Sequence, residues 1–159
     1  NYGPNEDAAE YFVKEVFPKI KKRFPNTEFY IVGKNPTEKI LSLSSNDIHV
    51  TGFVDDIVSA ISMYSVYVSP LRYGTGVKNK VLEAMASRMP VFISKVSREG
   101  INGLVDNENC FFIDETNIES KICQYLNEEY ILNNISLNGF NFVKKNHSWN
   151  EVFNELIID

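Results

Sequence analysis

Short apolar segments alternate with helix-like segments along this 159-residue chain, and this alternation constrains the fold more than any other feature. Five segments have the β-branched and aromatic composition of buried strands: TEFYIVG, IHVTGF, VYVSP, PVFIS and NCFFID. Strands that alternate with helices build parallel sheets with a helical layer on each face. The sequence therefore predicts a single α/β domain over residues 1–159, with a doubly wound, mostly parallel, Rossmann-like sheet.

The first predicted helix runs through EDAAEYFVKEVFPKIKKRF. Asn5 is the predicted N-cap, and Pro18 is expected to kink or split the helix because it has no N–H to donate. Further helices are predicted in NPTEKILSLSS, DDIVSAISMY, VKNKVLEAMASR and the region after residue 117. The basic end of the first helix has two interpretations: ordinary C-terminal charge, which is preferred, or contact with anionic lipid through Lys19, Lys21, Lys22 and Arg23.

Composition excludes several classes of function. The net charge of −5 argues against a nucleic-acid-binding protein. No apolar run approaches the ~20 residues that a membrane-spanning helix needs. Cys110 and Cys123 lack CxxC spacing, which predicts reduced, packed cysteines in a cytoplasmic protein. His49 and His147 are far apart in the sequence, so no metal site is expected from them.

Positive charge is concentrated in residues 70–98, which carry a net charge of +5 although the whole chain is acidic. A local positive region on an acidic protein suits a small anion better than a polymer. For Arg88 and Lys95, a solvated surface position is the preferred interpretation. Glu83 is the single acidic residue of the region, and its cations are Arg72, Lys78, Lys80, Arg88, Lys95 and Arg98.

The segment PLRYGTGVKNKVLEA combines a strand end, a glycine loop and a helix start. Gly74 and Gly76 allow a tight turn and a close approach of the backbone to a ligand. The helix is predicted to begin near Val77, and its free N–H groups make its start an anion site. The loop matches neither the GxxxxGK[ST] phosphate loop nor GxGxxG, which would need glycine where Asn79 stands.

Two charged residue types in this helix also favour a ligand. Lys78 and Lys80 are predicted in the first turn of this helix. The helix dipole disfavours a cation there by about 0.3 kcal/mol or more, unless an anion is near. Glu83 lies in an apolar run, where a carboxylate needs a partner. That partner is either the vicinal hydroxyls of a ribose or Lys80 three residues earlier.

These segments resemble the C-terminal, donor-binding half of GT-B glycosyltransferases, in the large retaining family 4. VSPLRYGTGVKNKVLEAMASRMPVFIS carries the most specific part of the resemblance. YGPNEDAAEYF, FYIVGKNP and IHVTGFVDDI precede it in the order of that family, and SREGI and HSW are weaker matches. The similarity covers nearly the whole chain.

The resemblance implies a role for each matching residue. Glu83 would hold the ribose hydroxyls, and Lys80 with Arg72 would neutralise the donor diphosphate. Many family members have a second glutamate where this chain has Thr75, so the contact with the donor sugar differs. The implied donor-binding surface consists of Gly33, Phe53 and Val54 beside the base, Arg72, Gly74, Thr75, Gly76, Lys78, Lys80, Glu83, and Glu99 with Gly100 on the far side of the cleft.

The implied reaction transfers a sugar from a UDP- or GDP-sugar to a glycan or lipid-linked acceptor with retention of configuration, as in surface polysaccharide synthesis. Neither a cofactor nor a metal is expected, and this half would contribute no catalytic residue. The acceptor site would belong to the N-terminal domain of the same full-length protein, so the isolated chain is expected to be inactive. The enzyme would be cytoplasmic, with possible peripheral association at the inner face of the plasma membrane.

The resemblance further implies a missing first strand, which would precede Asn1 and lie centrally in the sheet.

Three other interpretations stay open. The chain is also compatible with a sugar-nucleotide epimerase half, which shares the GT-B architecture, and with a non-catalytic assembly module. A phospho-acceptor receiver domain would use Asp55, Asp56 and Lys95, but it also needs an aspartate at the end of VYVSP, and none is present.

Overall fold

The N-terminal helical region is divided by a π-helical turn. In the computed structural model, which describes residues 3–52, 65–76 and 78–147, helix α1 (Gly3–Tyr11) leads into the π turn Phe12–Val16 and then into α2 (Phe17–Arg23). The Phe17 N–H donates to the Phe12 carbonyl. The wider turn keeps the ring of Pro18 clear of the preceding turn, so the predicted split is confirmed. The predicted cap was wrong, because Asn5 lies inside α1.

All five predicted strands are present. The strands are β1 (Phe29–Val32), β2 (Ile48–Gly52), β3 (Tyr67–Ser69), β4 (Val91–Ile93) and β5 (Phe111–Phe112). The later helices are α3 (Glu38–Leu41), α4 (Asn79–Ala86), α5 (Lys95–Arg98), α6 (Ile118–Tyr125) and α7 (Glu129–Asn146). The helix predicted in DDIVSAISMY lies outside the described residues. Among those described, no helix has the length and apolarity that crossing a bilayer requires.

The strands form two parallel sheets. One contains β1 and β2, with Phe29 opposite Ile48, and the other has the order β3–β4–β5, with Tyr67 opposite Val91. Every strand pair is parallel, as the alternation of strands and helices predicts. The described residues contain no hydrogen-bonded pairing between the two sheets.

Two hydrophobic clusters cover the opposite faces of β4. Phe92 joins the cluster of the π turn, α2 and α6, whereas Val91 and Ile93 join the cluster of α4 and the C-terminal part of α7. All three side chains are fully buried. Adjacent residues of a strand point to opposite faces, so a strand covered on both sides has no polar position. This arrangement, a parallel sheet with helices packed on both faces, confirms the predicted doubly wound α/β fold.

Gly139 allows α7 to pack closely against α4. A Cβ at this position would stand 2.9 Å from the Asn109 carbonyl oxygen and 3.2 Å from Met85 Cε. The first distance is too short for any real side chain, and a carbonyl of the backbone moves less readily than a side-chain end. The close packing of α7 against α4 fixes the position of α4 and therefore of the loop between β3 and α4.

Candidate functional site

The loop between β3 and α4 has the backbone that its glycines predict. Gly74 has a φ of +127° and Gly76 a φ of +83°, a region that residues with a side chain rarely adopt. A Cβ on Gly76 would meet no atom of the described residues within 4 Å. The loop backbone is therefore open toward the carboxyl edge of the sheet, where ligands bind in doubly wound folds.

The position of Lys78 differs from the predicted one. Helix α4 begins at Asn79, with Lys78 as its N-cap rather than in its first turn, and Val77 lies outside the described residues. Lys78 Nζ donates to the Thr75 carbonyl at 2.7 Å and to the Gly76 carbonyl at 2.9 Å. The two carbonyl dipoles thus offset the positive charge of Lys78, and its side chain closes the loop by bonding to it.

Lys80 and Glu83 lie together on the first turns of α4. Lys80 Nζ is 3.4 Å from Glu83 Oε1, with hydrogen-bond geometry, and 3.0 Å from Oε2 without it. Glu83 is only 4% exposed, whereas the Lys80 side chain is 65% exposed. The buried Oε2 accepts no hydrogen bond from the residues that the structure describes. A buried acceptor without a donor costs about 1–3 kcal/mol, so the ion pair alone does not satisfy this carboxylate.

The charge of the same carboxylate affects the pKa of Tyr67, the first residue of β3. Burial raises the pKa of Tyr67 to about 12, a hydrogen bond with Ser69 opposes the rise, and the nearby Glu83 charge adds to it. The phenol therefore stays neutral at physiological pH. Tyr67 therefore adds no second negative charge beside Glu83.

Arg72 is held by α1. Arg72 Nε donates to Asp7 Oδ2 at 2.9 Å and Nη2 donates to Oδ1, while the guanidinium lies 4.8 Å from the centre of the Tyr11 ring. Glu115 Oε1 is 4.0 Å from Nη1. The hydrogen bond from Arg72 lowers the pKa of Asp7, and the pKa of Arg72 rises in turn. The contacts of Arg72 thus differ from those of Lys80, and the expected Arg72–Lys80 diphosphate pair stays a prediction.

Three buried serines fix the other side of the loop. Ser97 Oγ lies 2.8 Å from Ser69 Oγ and donates to the Ser69 carbonyl at 2.7 Å. Ser94 Oγ donates to the Leu71 carbonyl at 2.6 Å and accepts from the Ser97 N–H at 3.2 Å. The network ties the end of β3 to the start of α5, whose N-cap is Ser94. Sequence reasoning missed it, although Ser94 follows a strand and precedes a helix, a recognisable capping position.

A cavity of about 240 Å³ adjoins the carboxyl ends of β3, β4 and β5. Its walls include Tyr11, Leu71, Arg72, Ser94, Val96 and Ile113. Neither Lys80 nor Glu83 lines it. The carboxyl edge therefore carries two distinct features: this cavity beside α1, and the glycine loop with the start of α4.

The remaining predicted residues are dispersed or not described. Gly33 follows β1 and is exposed; Glu99 and Gly100 are exposed at the end of α5, where Gly100 has a φ of +83°. Phe53 and Val54 lie outside the described residues. Across residues 3–52, 65–76 and 78–147, no three His, Cys, Asp or Glu side chains form a group suited to a metal ion.

Comparisons with known proteins give the family. A family model described as glycosyl transferases group 1 matches residues 1–128. A 44.6 kDa protein in the cps region of Klebsiella pneumoniae is 26% identical over an alignment of 155 residues, and the match covers 92% of this chain and 40% of that protein. The chain thus spans less than half the length of this relative.

Solved structures share the fold. A TarM variant from S. aureus, in complex with Fondaparinux, alpha-GlcNAc-glycerol and UDP, superposes with a TM-score of 0.78 at 17% identity, over 98% of this chain and 33% of that one. The C-terminal domain of the glycosyl transferase group 1 family protein LpcC from Francisella tularensis gives 0.69 at 20% identity, over 92% and 80%. The chain therefore has the fold of a GT-B C-terminal domain and belongs to the glycosyl transferases group 1 family.

Proposed function

We propose that this chain binds the nucleotide-diphosphate sugar of a glycosyltransferase, with the ribose on Glu83 and the diphosphate over the start of α4. The observation that carries the proposal is the buried Glu83 Oε2, which accepts no hydrogen bond from the described residues although Lys80 Nζ lies 3.0 Å away. A ribose offers two adjacent hydroxyl donors to one carboxylate. The ligand would thereby remove the desolvation cost that the free protein bears.

The diphosphate part of the proposal depends on the loop and on Lys80. The aligned peptide dipoles of α4 give its N-terminal end a partial positive charge, which favours an anion there. Lys80 is 65% exposed in the first turn of α4, so its ammonium can reach an anion that lies over the loop. Because Lys78 is already bonded to the loop carbonyls, its role is to hold the glycine backbone in place.

These fixed charges suit the chemistry of the proposed reaction. Negative charge grows on the diphosphate as it leaves the sugar, and preorganised donors stabilise that charge without reorganising. We propose that Lys80 and the helix start perform this role, so that transfer needs no metal. Of the two candidate donor nucleotides, UDP and GDP, UDP is favoured because it is present in the TarM complex, which has the same fold.

The whole protein is proposed to be longer than this chain. The Klebsiella relative is about 2.5-fold longer, which supports a separate domain for the acceptor and the remaining catalytic groups. We therefore expect the 159 residues to bind the donor without transferring sugar. The cps region of that relative supports a role in surface polysaccharide synthesis. The family match favours a transferase over the epimerase alternative.

Isothermal titration with UDP, GDP and uridine tests the proposal. We expect UDP to bind at least about 10-fold more tightly than uridine, because charge-assisted contacts to the diphosphate contribute ~1.5–3 kcal/mol each. Lys80→Met should remove most of this difference. The matched control is Lys144→Met, which removes an exposed lysine from the last turn of α7. EDTA should leave the isotherms unchanged. Equal binding of UDP and uridine would refute the diphosphate site.

A further inference from the structure

The α1 cavity, defined as the cavity of about 240 Å³ that adjoins the carboxyl ends of β3, β4 and β5, takes no part in the proposed donor site. Neither Lys80 nor Glu83 lines it. Helix α4 packs on one face of β4, whereas α6, whose first residue Ile118 lines the cavity, packs on the other face. The α1 cavity and the start of α4 therefore approach the edge of the sheet from opposite faces.

The inner wall of the α1 cavity is apolar and fixed. Leu71, Ile113 and Ile118 line it and are buried. Ser94 holds the wall toward α5, because its hydroxyl donates to the Leu71 carbonyl at 2.6 Å. Apolar walls with a few fixed polar groups are typical of small-molecule sites, and pockets for drug-sized ligands have volumes of about 300–1,000 Å³. The smaller α1 cavity therefore suits a ligand about the size of one six-membered ring.

Arg72 brings fixed hydrogen-bond donors to the same cavity. Asp7 accepts two of the five guanidinium N–H groups, one from Nε and one from Nη2. The guanidinium lies 4.8 Å from the centre of the Tyr11 ring, and Nη1 is 4.0 Å from Glu115 Oε1, which is beyond hydrogen-bonding distance. The contacts with Asp7 and Tyr11 thus hold the guanidinium in place, and among the described residues the N–H groups of Nη1 have no acceptor.

Charges of both signs surround the mouth of the α1 cavity and nearly cancel. Arg72 and Lys95 contribute +2, whereas Asp7, Asp114 and Glu115 contribute −3, which leaves a net charge of −1. This balance favours neither a phosphate-bearing ligand nor a cationic one. It suits a neutral ligand whose hydroxyl groups donate to carboxylates and accept from guanidinium and ammonium groups.

We propose that the α1 cavity binds one neutral sugar ring of the acceptor glycan. A pyranose has hydroxyl groups around its edge and an apolar face of C–H groups, which match the charged mouth and the apolar wall. The assignment to the acceptor rests on the proposed function, in which the donor lies over the start of α4, on the other face of the sheet. This chain would then share the acceptor contacts, which the resemblance assigns to the N-terminal domain.

Heteronuclear NMR of the 159-residue chain, titrated with the methyl glycosides of glucose, galactose and N-acetylglucosamine, tests the proposal. For a ligand of this size we expect a Kd of roughly 1–10 mM. The amides of Leu71, Val96 and Ile118 should shift, whereas that of Glu83 should not. The absence of saturable shifts at these three amides with every glycoside overturns the proposal. Binding of glucose 6-phosphate more than about 10-fold more tightly than methyl glucoside also overturns it, because the site then selects an anion.

Two substitutions at the α1 cavity give an independent measurement. Val96→Phe should fill the cavity and abolish glycoside binding. Glu115→Gln changes a 66% exposed side chain, so the fold is kept, and should weaken binding by about 3- to 10-fold because a neutral acceptor replaces a charged one. The matched control Glu108→Gln, at another exposed position, should leave binding unchanged. Unchanged glycoside affinity in both cavity variants contradicts the proposal.

Titrations with UDP and UDP-glucose separate this proposal from the proposed donor site. Both cavity variants should bind UDP as the wild-type protein does. Glycoside binding at the cavity amides without any UDP binding would support the acceptor cavity and count against the donor site alone. If UDP-glucose displaces the methyl glycosides from the cavity amides and UDP does not, the donor sugar occupies the cavity and the assignment to the acceptor is wrong.

Discussion

The sharpest prediction concerns the contact between Glu83 and a ribose hydroxyl. The perturbation is double: Glu83→Gln in the protein, and removal of the 2′-hydroxyl from the ligand by use of 2′-deoxy-UDP. Gln keeps the shape of the side chain but replaces a charged acceptor with a neutral one. Because Glu83 is 4% exposed within an apolar helix, an isosteric change avoids the cavity that alanine would leave.

The expected magnitude follows from the environment of the carboxylate. Its Oε2 is buried and accepts no hydrogen bond from the described residues, so it offers an acceptor to a ribose hydroxyl. Hydrogen bonds to charged groups contribute about 1.5–3 kcal/mol, and those between neutral groups about 0.5–1.5 kcal/mol. The wild-type protein should therefore prefer UDP over 2′-deoxy-UDP by roughly 10- to 100-fold in Kd. In Glu83→Gln the preference should fall below about 10-fold.

Titration calorimetry with both ligands on both proteins gives the coupling energy directly. Glu129→Gln is the matched control, since Glu129 is exposed in the first turn of α7 and its substitution should leave the preference intact. Thermal melts of all variants check that the fold is retained. If the wild-type protein binds UDP and 2′-deoxy-UDP with equal affinity, Glu83 does not hold the ribose and the reasoning from its unsatisfied oxygen is wrong.

Three further substitutions test contacts that organise the site. The hydrogen bond from Arg72 holds the pKa of Asp7 below its usual value of 3.8. The pair therefore stabilises the fold above that pH and loses its effect as the pH falls further. The difference in melting temperature between wild type and Asp7→Asn should shrink from pH 7 to pH 2.5, and a constant difference would contradict this. Ser97→Ala removes a fully buried hydroxyl that bonds the end of β3, and chemical denaturation should show a loss of ~1–3 kcal/mol, whereas an unchanged midpoint would exclude a stabilising network. Gly139→Ala should destabilise the protein by about 1–3 kcal/mol despite the better helix propensity of alanine, because its Cβ would meet the Asn109 carbonyl oxygen at 2.9 Å; a gain in stability would refute this packing argument.

Local sequence patterns predicted those features whose causes are local. The strands follow from short apolar runs, and the φ values of Gly74 and Gly76 follow from the need for a tight turn between a strand and a helix. The split before Pro18 follows from its missing N–H. The predicted cap at Asn5 failed because capping residues also occur inside helices, and no local pattern fixes the exact start of a helix.

Contacts between distant residues were decided by the tertiary structure. The role of Arg72 at the diphosphate stays a prediction, and the fold brings Asp7 to it from 65 residues away. A bidentate partner so distant in the sequence leaves no trace in the local pattern. The same is true of the link from Ser97 to Ser69, 28 residues apart.

The sequence by itself determined the strand–helix alternation, the glycine loop and a carboxylate in an apolar helix. These features arise from backbone preferences and hydrophobic periodicity, which act over a few residues. Only the tertiary structure decided that Glu83 Oε2 is buried without a donor, that Lys78 bonds the loop carbonyls, and that β1 and β3 lack a common pairing partner among the described residues. Burial and strand pairing depend on which distant segments meet, and packing of the whole domain sets those meetings.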